Sequence, residues 1–506
     1  MSDASTSPRL AVRALGAHSA LALATAALVY VLAVTGVIAV FNHELQRWEQ
    51  PGAPEIDTLP ADAAARAARD MLAQETAPTE HLFVQLPTKD LPRAVITTDN
   101  GARFVAADGS LAEAEHHPWT QFLLDLHFFL HLPHVVGLTL VGSVGVLLAS
   151  LAITGLLAHR RIFRDAFKLR LGRHARLTQT DWHNRLGVWT TPFLLSTALT
   201  GAMLGLATGA AYGVAALDFE GDVELAFGQV FGAEPTADPR PAPLPDISRA
   251  LQQMHRDYPD RDPTYVILHA PLTRGQQLQV LADHNERLIF GEYYRFAADG
   301  SFIDTVGMAD GALGQQIVAS AYKLHFGRFG GLAIKLAYAG FGLTLAVIAG
   351  SGMRIFFLRR RERGHPLPGL EGAWTALLWG LPGSLAAAQL ASLPAIGGDA
   401  HLAPIFWSVL LAAMASGWLS SRRQAASPAC FAYAVRIVSG ILLASASVVH
   451  YAVHVDNFTA PAAYGMLGAQ FVTAACIALP PLLSIAAPLC RGVRIPARHQ
   501  TPTRGS

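Results

Sequence analysis

Eight long apolar runs constrain this chain more than any other feature. They cover roughly residues 19–41, 128–158, 186–212, 329–357, 374–394, 404–420, 430–453 and 463–489. A helix that crosses a bilayer needs about 20 mostly apolar residues, and in lipid it must satisfy every backbone polar group within itself. The second and fourth runs are long enough to tilt or to extend past the hydrocarbon. The fifth contains Pro382 and the sixth is short. The first run is too long for the apolar part of a signal peptide, and no A-x-A site stands at its end, just before His43-Glu44. It reads as a retained anchor.

Composition agrees. Of 506 residues, 52% are apolar and 15% charged, whereas soluble domains carry about 25% charged residues. The deficit excludes a disordered chain and argues against an ordinary soluble enzyme. The net charge of +1 implies no polyanion partner, so nucleic acid is not expected. The positions of the charges say more than their sum. Basic residues gather at Arg160–Arg185, at Arg354–Arg363, at Arg422, Arg423 and Arg436, and at Arg491, Arg494 and Arg498. With eight spans these places share one side, and the excess of Lys and Arg marks that side as cytoplasmic. Both termini are then cytoplasmic in a bacterial inner membrane. The acid-rich connections 42–126 and 213–322 face the periplasm.

The first four runs read as one unit written twice. His18 precedes Thr35-Gly36 by 17 residues, and His183 precedes Thr200-Gly201 by 17. Leu126-His127-Phe128 opens the second run and Leu324-His325-Phe326 the fourth. Each outer connection has a helical start (Ala61–Gln74; Ile247–Tyr258). Each also has a strand-like stretch followed by Ala-Asp-Gly-Ser, at Ala107–Ser110 and Ala298–Ser301, which reads as a hairpin turn. The duplication is direct, so an axis along the membrane normal relates the halves. Runs five to eight have no such partner.

Equivalent histidines of a two-fold repeat face each other. His18 and His183 sit at cytoplasmic ends, His127 and His325 at outer ends. Two imidazoles on neighbouring helices aimed at one plane are what axial ligation of a b-type haem requires. The sequence supplies two such pairs. A histidine at a span end can also rest half wet in the headgroup region; the pairing by repeat favours ligation. His131, one turn after His127, is the alternative outer ligand. His134 follows Pro133, in a distorted first turn, and His159 abuts Arg160-Arg161 at the interface. His116-His117 mark the return to the bilayer. His450 and His454, spaced i, i+4, offer a metal only two ligands and read as interfacial or substrate-side. Trp48, Trp119, Trp182 and Trp189 fit an aromatic belt. Lys335 and Arg436 lie close enough to a span end to snorkel.

Several chemistries are absent. Cys430, Cys476 and Cys490 form no CxxC and no disulfide framework. There is no GxGxxG opening a helix after a strand, no GxxxxGK[ST], no HExxH and no GxSxG. A reductase built this way takes its electrons from a partner or a quinol.

Residues 10–365 resemble the PepSY-associated transmembrane family of bacteria. The carrying residues are His18 with Thr35-Gly36, the Leu126-His127 and Leu324-His325 pairs, Asp181-Trp182-His183-Asn184-Arg185-Leu186-Gly187, and the two Ala-Asp-Gly-Ser turns. His18 stands in His-Ser rather than the family's frequent Trp-His. Members include inner-membrane reductases of ferric siderophores with haem b in the bundle. The resemblance thus implies two haems held by His18, His183, His127 and His325.

The expected fold is an all-α polytopic membrane protein of about eight transmembrane helices, with a duplicated four-helix haem-binding core and two small α+β periplasmic PepSY-like domains. A tail (1–17) leads to spans at 18–41, 127–159, 183–212 and 323–358. Residues 42–126 and 213–322 are the outer domains, and 160–182 and 359–373 are cytoplasmic loops. Four further spans fill 374–489, before a tail at 490–506. The expected function is an oxidoreductase that passes electrons from a cytoplasmic or quinol donor to a periplasmic acceptor, first of all Fe(III)-siderophore, releasing Fe(II). Another oxidised metal or a periplasmic redox protein is an alternative acceptor. The alternative in kind is a non-enzymatic PepSY-domain module for binding or transport, which leaves the four histidines unused.

Overall fold

The computed structural model describes residues 8–158, 175–232, 237–393, 401–423, 428–458 and 461–490. The chain divides into two compact units, Met1–Pro366 with His454–Met466, and Leu367–Val453 with Leu467–Ser506. His159, most of the 160–182 loop and the basic residues from Arg491 onward lie outside the described residues.

In the first unit, four long helices form a ring. They are α1 (Pro8–Ala39), α5 (His134–Ala158), α6 (Ala175–Asp218) and α10 (Gly331–Glu362). Each packs on two neighbours, in the order α1, α5, α6, α10 and back to α1. The repeat exchanges α1 with α6 and α5 with α10. Small residues let backbones approach closely where water offers no driving force. A Cβ on Gly142 of α5 would meet Gly205 of α6 at 2.8 Å, and one on Gly205 would meet Gly142 at 2.7 Å. Arg176 of α6 pairs with Glu362 of α10 at 3.0 Å, so these two basic helix ends lie at the same end of the ring.

The histidine-bearing segments depart from the sequence expectation. His127 and His325 do not open the spans that follow them. Each closes a shorter helix of its own, α4 (Pro118–Phe129) and α9 (Leu313–Phe326). After α4 the chain turns through left-handed Leu130 and His131 (φ 56° and 54°) before Pro133 and α5; after α9 it turns at Gly327 (φ 66°). Proline cannot continue a helix and left-handed residues end one, so the membrane segments start near residues 134 and 331.

The two outer connections were expected as two separate domains. Their elements are present, but they share one sheet. The first contributes α2 (Asn42–Glu49), α3 (Ala61–Gln74), β1 (His81–Gln85), β2 (Ala94–Thr98), β3 (Gly101–Val105) and β4 (Leu111–Ala114). The second contributes α7 (Val223–Phe231), α8 (Ile247–Asp257), β5 (Arg261–His269), β6 (Gln277–His284), β7 (Glu292–Phe296) and β8 (Phe302–Thr305). The order is β4-β3-β2-β1-β5-β6-β7-β8, joined by antiparallel pairing of β1 with β5 in the register Leu82↔Leu268 and Val84↔Val266. Pairing the two first strands removes an exposed edge from each half. It also gives α3 and α8 one continuous apolar core, which includes Ala64, Ala68, Leu82, Ile96, Leu251, Met254, Leu268 and Val280. The repeat persists to the turns. Asp108 accepts from the Ser110 N–H and hydroxyl at 2.9 and 2.7 Å, and Asp299 from those of Ser301 at 3.0 and 2.6 Å.

The second unit contains α11 (Pro368–Ser392), α12 (Leu402–Arg423) and most of α13 (Pro428–His454) and α14 (Pro461–Cys490). Among the described residues seven helices are long and apolar enough to cross a membrane: α1, α5, α6, α10, α12, α13 and α14. The protein is a multi-pass membrane protein. The expected fifth span, α11, is a helix but falls outside that set. Glycines, Pro382 and Gln389 dilute its apolar character, and it is largely buried. It packs through Gly372 against Gly417 of α12 and through Gly383 against Ser439 of α13. Arg436 does not reach outward. Its Nε donates to the Ile477 carbonyl at 3.0 Å, and its guanidinium lies 4.2 Å from the centre of the Trp379 ring.

Candidate functional site

The repeat brings the four principal histidines together in two pairs. The ring centres of His18 and His183 are 6.2 Å apart with planes at 80°. Those of His127 and His325 are 6.3 Å apart with planes at 34°. The pairs are well separated. His18 and Thr35, the partner of His127, lie 17 residues apart on the unbroken α1, about 25 Å at 1.5 Å per residue.

Every one of the four rings rests in the same cradle on a neighbouring helix. The cradle has three parts: a glycine under the ring, the hydroxyl residue just before it, and the carbonyl four residues before it. A Cβ built on the glycine would meet the histidine Cε1 at 3.3 Å for Gly155 under His18, 2.9 Å for Gly36 under His127, 3.1 Å for Gly352 under His183 and 2.7 Å for Gly201 under His325. His18 Nδ1 bonds to the Leu151 carbonyl at 3.0 Å, with the Thr154 hydroxyl at 3.4 Å. His183 Nδ1 lies 3.1 Å from both the Ile348 carbonyl and the Ser351 hydroxyl. His127 and His325 place Nδ1 3.1 Å from the hydroxyls of Thr35 and Thr200, with the Leu32 and Thr197 carbonyls as backbone partners.

The hydroxyls fix the tautomer. Thr35, Thr154 and Thr200 donate their own proton to the carbonyl of Val31, Ser150 and Ser196, and Ser351 donates to that of Ile348. Each hydroxyl oxygen is then an acceptor toward the imidazole, as are the carbonyls, so the ring proton belongs on Nδ1. Nε2 keeps its lone pair, the state of a metal-ligating imidazole held by an outer hydrogen bond.

Two imidazole nitrogens sharing one metal at about 2 Å each place their ring centres about 6 Å apart, which both pairs match. Among the described residues no group of three or more His, Cys, Asp or Glu converges. A metal held here would need further donors that arrive with it, as the four nitrogens of a porphyrin do. A cavity of about 300 Å³ adjoins the outer pair. It is lined by both rings, Gly36, Gly201, Phe193, Tyr338 and mostly apolar neighbours, within the size range of cofactor sites. The residues present fit such a group.

Surrounding elements hold the outer pair in place. The buried Glu49 carboxylate caps the start of α4, accepting from the N–H groups of Trp119 and Thr120 at 2.7 and 2.9 Å. Lys323 of α9 bonds to Asp283 at the end of β6. Tyr338 of α10 donates to the Leu324 carbonyl at 2.5 Å.

Other expectations resolve differently. His131 does not join the pair: its Nε2 lies 3.0 Å from the Phe122 carbonyl and its ring stacks on Phe122. His134 lies beside Phe129. His117 faces Gln46 at 3.2 Å and Glu115. His450 is buried and His454 half-buried, with no converging set of ligands among the described residues. Trp182 and Trp189 are exposed, as a belt requires, but Trp48 and Trp119 are buried against each other. Lys335 does not snorkel: it is buried and bonds to Glu44 at 2.8 Å, with Asp90 at 3.5 Å. Sequence reasoning missed Thr154-Gly155 and Ser351-Gly352. Their signal was a serine or threonine followed by glycine, present in each of the four core helices, though α6 carries a second at Thr208-Gly209 that faces no histidine.

The model of the PepSY-associated TM region family matches residues 15–360. The chain belongs to that family. The match takes in the ring of four helices, all four cradled histidines and both halves of the sheet, and it stops short of the second unit. A protein of Pseudomonas aeruginosa, uncharacterized protein PA4219, is 34% identical over 138 residues, which are 26% of this chain and 34% of that protein. This PepSY-associated chain thus aligns with about a third of that relative's length.

Proposed function

We propose that this PepSY-associated membrane protein is an oxidoreductase with two b-type haems. In this reading it passes electrons from a cytoplasmic or quinol donor to a periplasmic acceptor, Fe(III) held by a siderophore, and releases Fe(II). The observation that carries the reading is the doubling of the cradle. Two facing pairs of Nδ1-anchored imidazoles stand about 25 Å apart along one helix, a distance close to the hydrocarbon thickness. When bound, haem supplies a one-electron site whose potential depends on its axial ligands, their hydrogen bonds and burial.

The chain's own residues account for the rest. His18 and His183 serve the end where Arg176, Arg359, Arg360 and Arg361 lie, which the basic excess assigns to the cytoplasm. His127 and His325 serve the opposite end. The Nδ1–H bonds raise the basicity of each Nε2 and hold each ring against rotation. The apolar walls of the outer cavity keep water from the imidazoles. The eight-stranded sheet, with α3 and α8 packed on it, is built from the connections between the spans and offers a surface for the acceptor. Fe(III) is the harder ion and the stronger partner of oxygen chelators, so its reduction loosens the complex without breaking the chelator. The bacterial inner membrane with both termini cytoplasmic is part of the same proposal, which takes α11 as an eighth crossing beside the seven candidate spans.

The test uses the full chain in lipid vesicles, a reduced quinol as donor, and outside the vesicles a ferric hydroxamate chelate with an impermeant Fe(II) indicator. We expect Fe(II) to form well above the rate of empty vesicles and to fall to that rate in His325→Ala. Equal rates with and without protein contradict the proposal.

A further inference from the structure

The two pairs have the same spacing but different ring planes, 80° at His18/His183 against 34° at His127/His325. The cradles differ between the two pairs as well. At the outer pair both rings bond matched threonine hydroxyls at 3.1 Å, so the two-fold repeat is kept. At the inner pair the partners are unlike. His18 lies nearer the Leu151 carbonyl than the Thr154 hydroxyl, 3.0 against 3.4 Å. His183 is shared evenly between the Ile348 carbonyl and Ser351. Ser351 donates three residues back, to Ile348 at 3.0 Å, whereas Thr154 donates most closely four back, to Ser150 at 2.6 Å, with Leu151 at 3.2 Å. The inner rings thus rest in cradles that are not copies of each other, whereas the outer ones are.

We infer that the chain builds two electronically unlike axial-ligand sites, near-perpendicular at His18/His183 and tilted by only 34° at His127/His325, with Ser351 and Thr154 as the positioning residues that set the first. The inference rests on haem occupying both pairs. Perpendicular imidazole planes leave the two iron d orbitals that overlap the ring π systems nearly equal in energy; parallel planes split them. Two neighbouring sites of one chain then differ in spectrum and in potential, although their ligands are the same. Second-shell hydrogen bonding of this kind is one of the protein's levers on an iron site.

The test is electron paramagnetic resonance of the oxidised full-length protein in detergent. We expect two low-spin ferric signals of equal weight, one a single highly anisotropic low-field feature and the other a rhombic three-line spectrum. Ser351→Ala should move the low-field feature and leave the rhombic lines in place, and Ser351→Thr, which makes the two inner hydroxyls alike, should move it as well. Two signals of one type, or a low-field feature indifferent to Ser351→Ala, overturn the inference while leaving the haem reading intact. No low-spin ferric signal, in protein made with ample haem, overturns both.

Discussion

Gly36 lies beneath the edge of the His127 ring, so close that a Cβ at position 36 would stand 2.9 Å from His127 Cε1. That approach is what lets Nδ1 reach the Thr35 hydroxyl at 3.1 Å. The same relation joins Gly201 and His325, where the Cβ would stand at 2.7 Å. Glycine is needed here for closeness rather than for an unusual backbone angle, since both glycines are helical.

Gly201→Ala should therefore displace the His325 ring, which is anchored by Thr200 and has little freedom to give. Overpacking of this kind costs about 1–3 kcal/mol. We expect haem content to fall from about two per chain to about one, read by pyridine haemochrome. Unchanged content and an unchanged spectrum would show that the ring does not ligate.

Lys335 and Glu44 form a buried ion pair at 2.8 Å, their side chains 5% and 23% exposed. Removing one member leaves a buried charge, which costs about 3–5 kcal/mol in a fully buried pair. Glu44 keeps some solvent contact, so about 3 kcal/mol is expected for Lys335→Met, seen as a lower thermal midpoint in detergent. Lys335→Met with Glu44→Leu should recover most of the loss. A double variant no better than the single one argues against the pairing.

Asp99 links the β2–β3 turn to the start of β1. Burial, the largest single influence, raises its carboxyl, but the Glu80 N–H, the Thr79 hydroxyl and the His81 ring and N–H together outweigh it and hold the group at about 2. A carboxylate lowered in the folded state contributes stability above its unfolded value near 4 and loses it as pH falls toward 2. Its side chain is 42% exposed, so solvent screening limits the effect to at most about 1 kcal/mol. Asp99→Asn should lower the midpoint at pH 6 and converge on the parent as pH falls to about 2. A constant gap across that range would mean the charge is not responsible.

Leu82 and Leu268 face each other across the β1–β5 seam, both fully buried. Leu268→Ala should cost about 2–5 kcal/mol. Because the seam shares one core, both halves should become sensitive to protease together. Cleavage confined to the second half would indicate two independent sheets.

The histidine pairs were legible because the repeat preserves the 17-residue interval from His18 to Thr35 and from His183 to Thr200. The other two cradles were hidden by a one-residue slip. Thr154 follows His127 by 27 residues and Ser351 follows His325 by 26, since α4 runs one residue further past its histidine than α9 does. A serine in place of threonine concealed the match further. Strand positions and the Ala-Asp-Gly-Ser turns could be read from local pattern, but the partner of β1 could not. Its pairing with β5 joins segments about 180 residues apart, and alternation along a strand does not say which edge it meets. The same holds for Lys335, whose place near a span end suggested water until Glu44, distant in sequence, supplied its partner.

The most direct test of the central claim is the visible spectrum of the purified protein, oxidised and reduced with dithionite, with haem counted per chain. We predict a b-type reduced spectrum with about two haems, falling to about one in His183→Ala and in His127→Ala. A featureless spectrum in protein produced with haem supply intact would contradict the account.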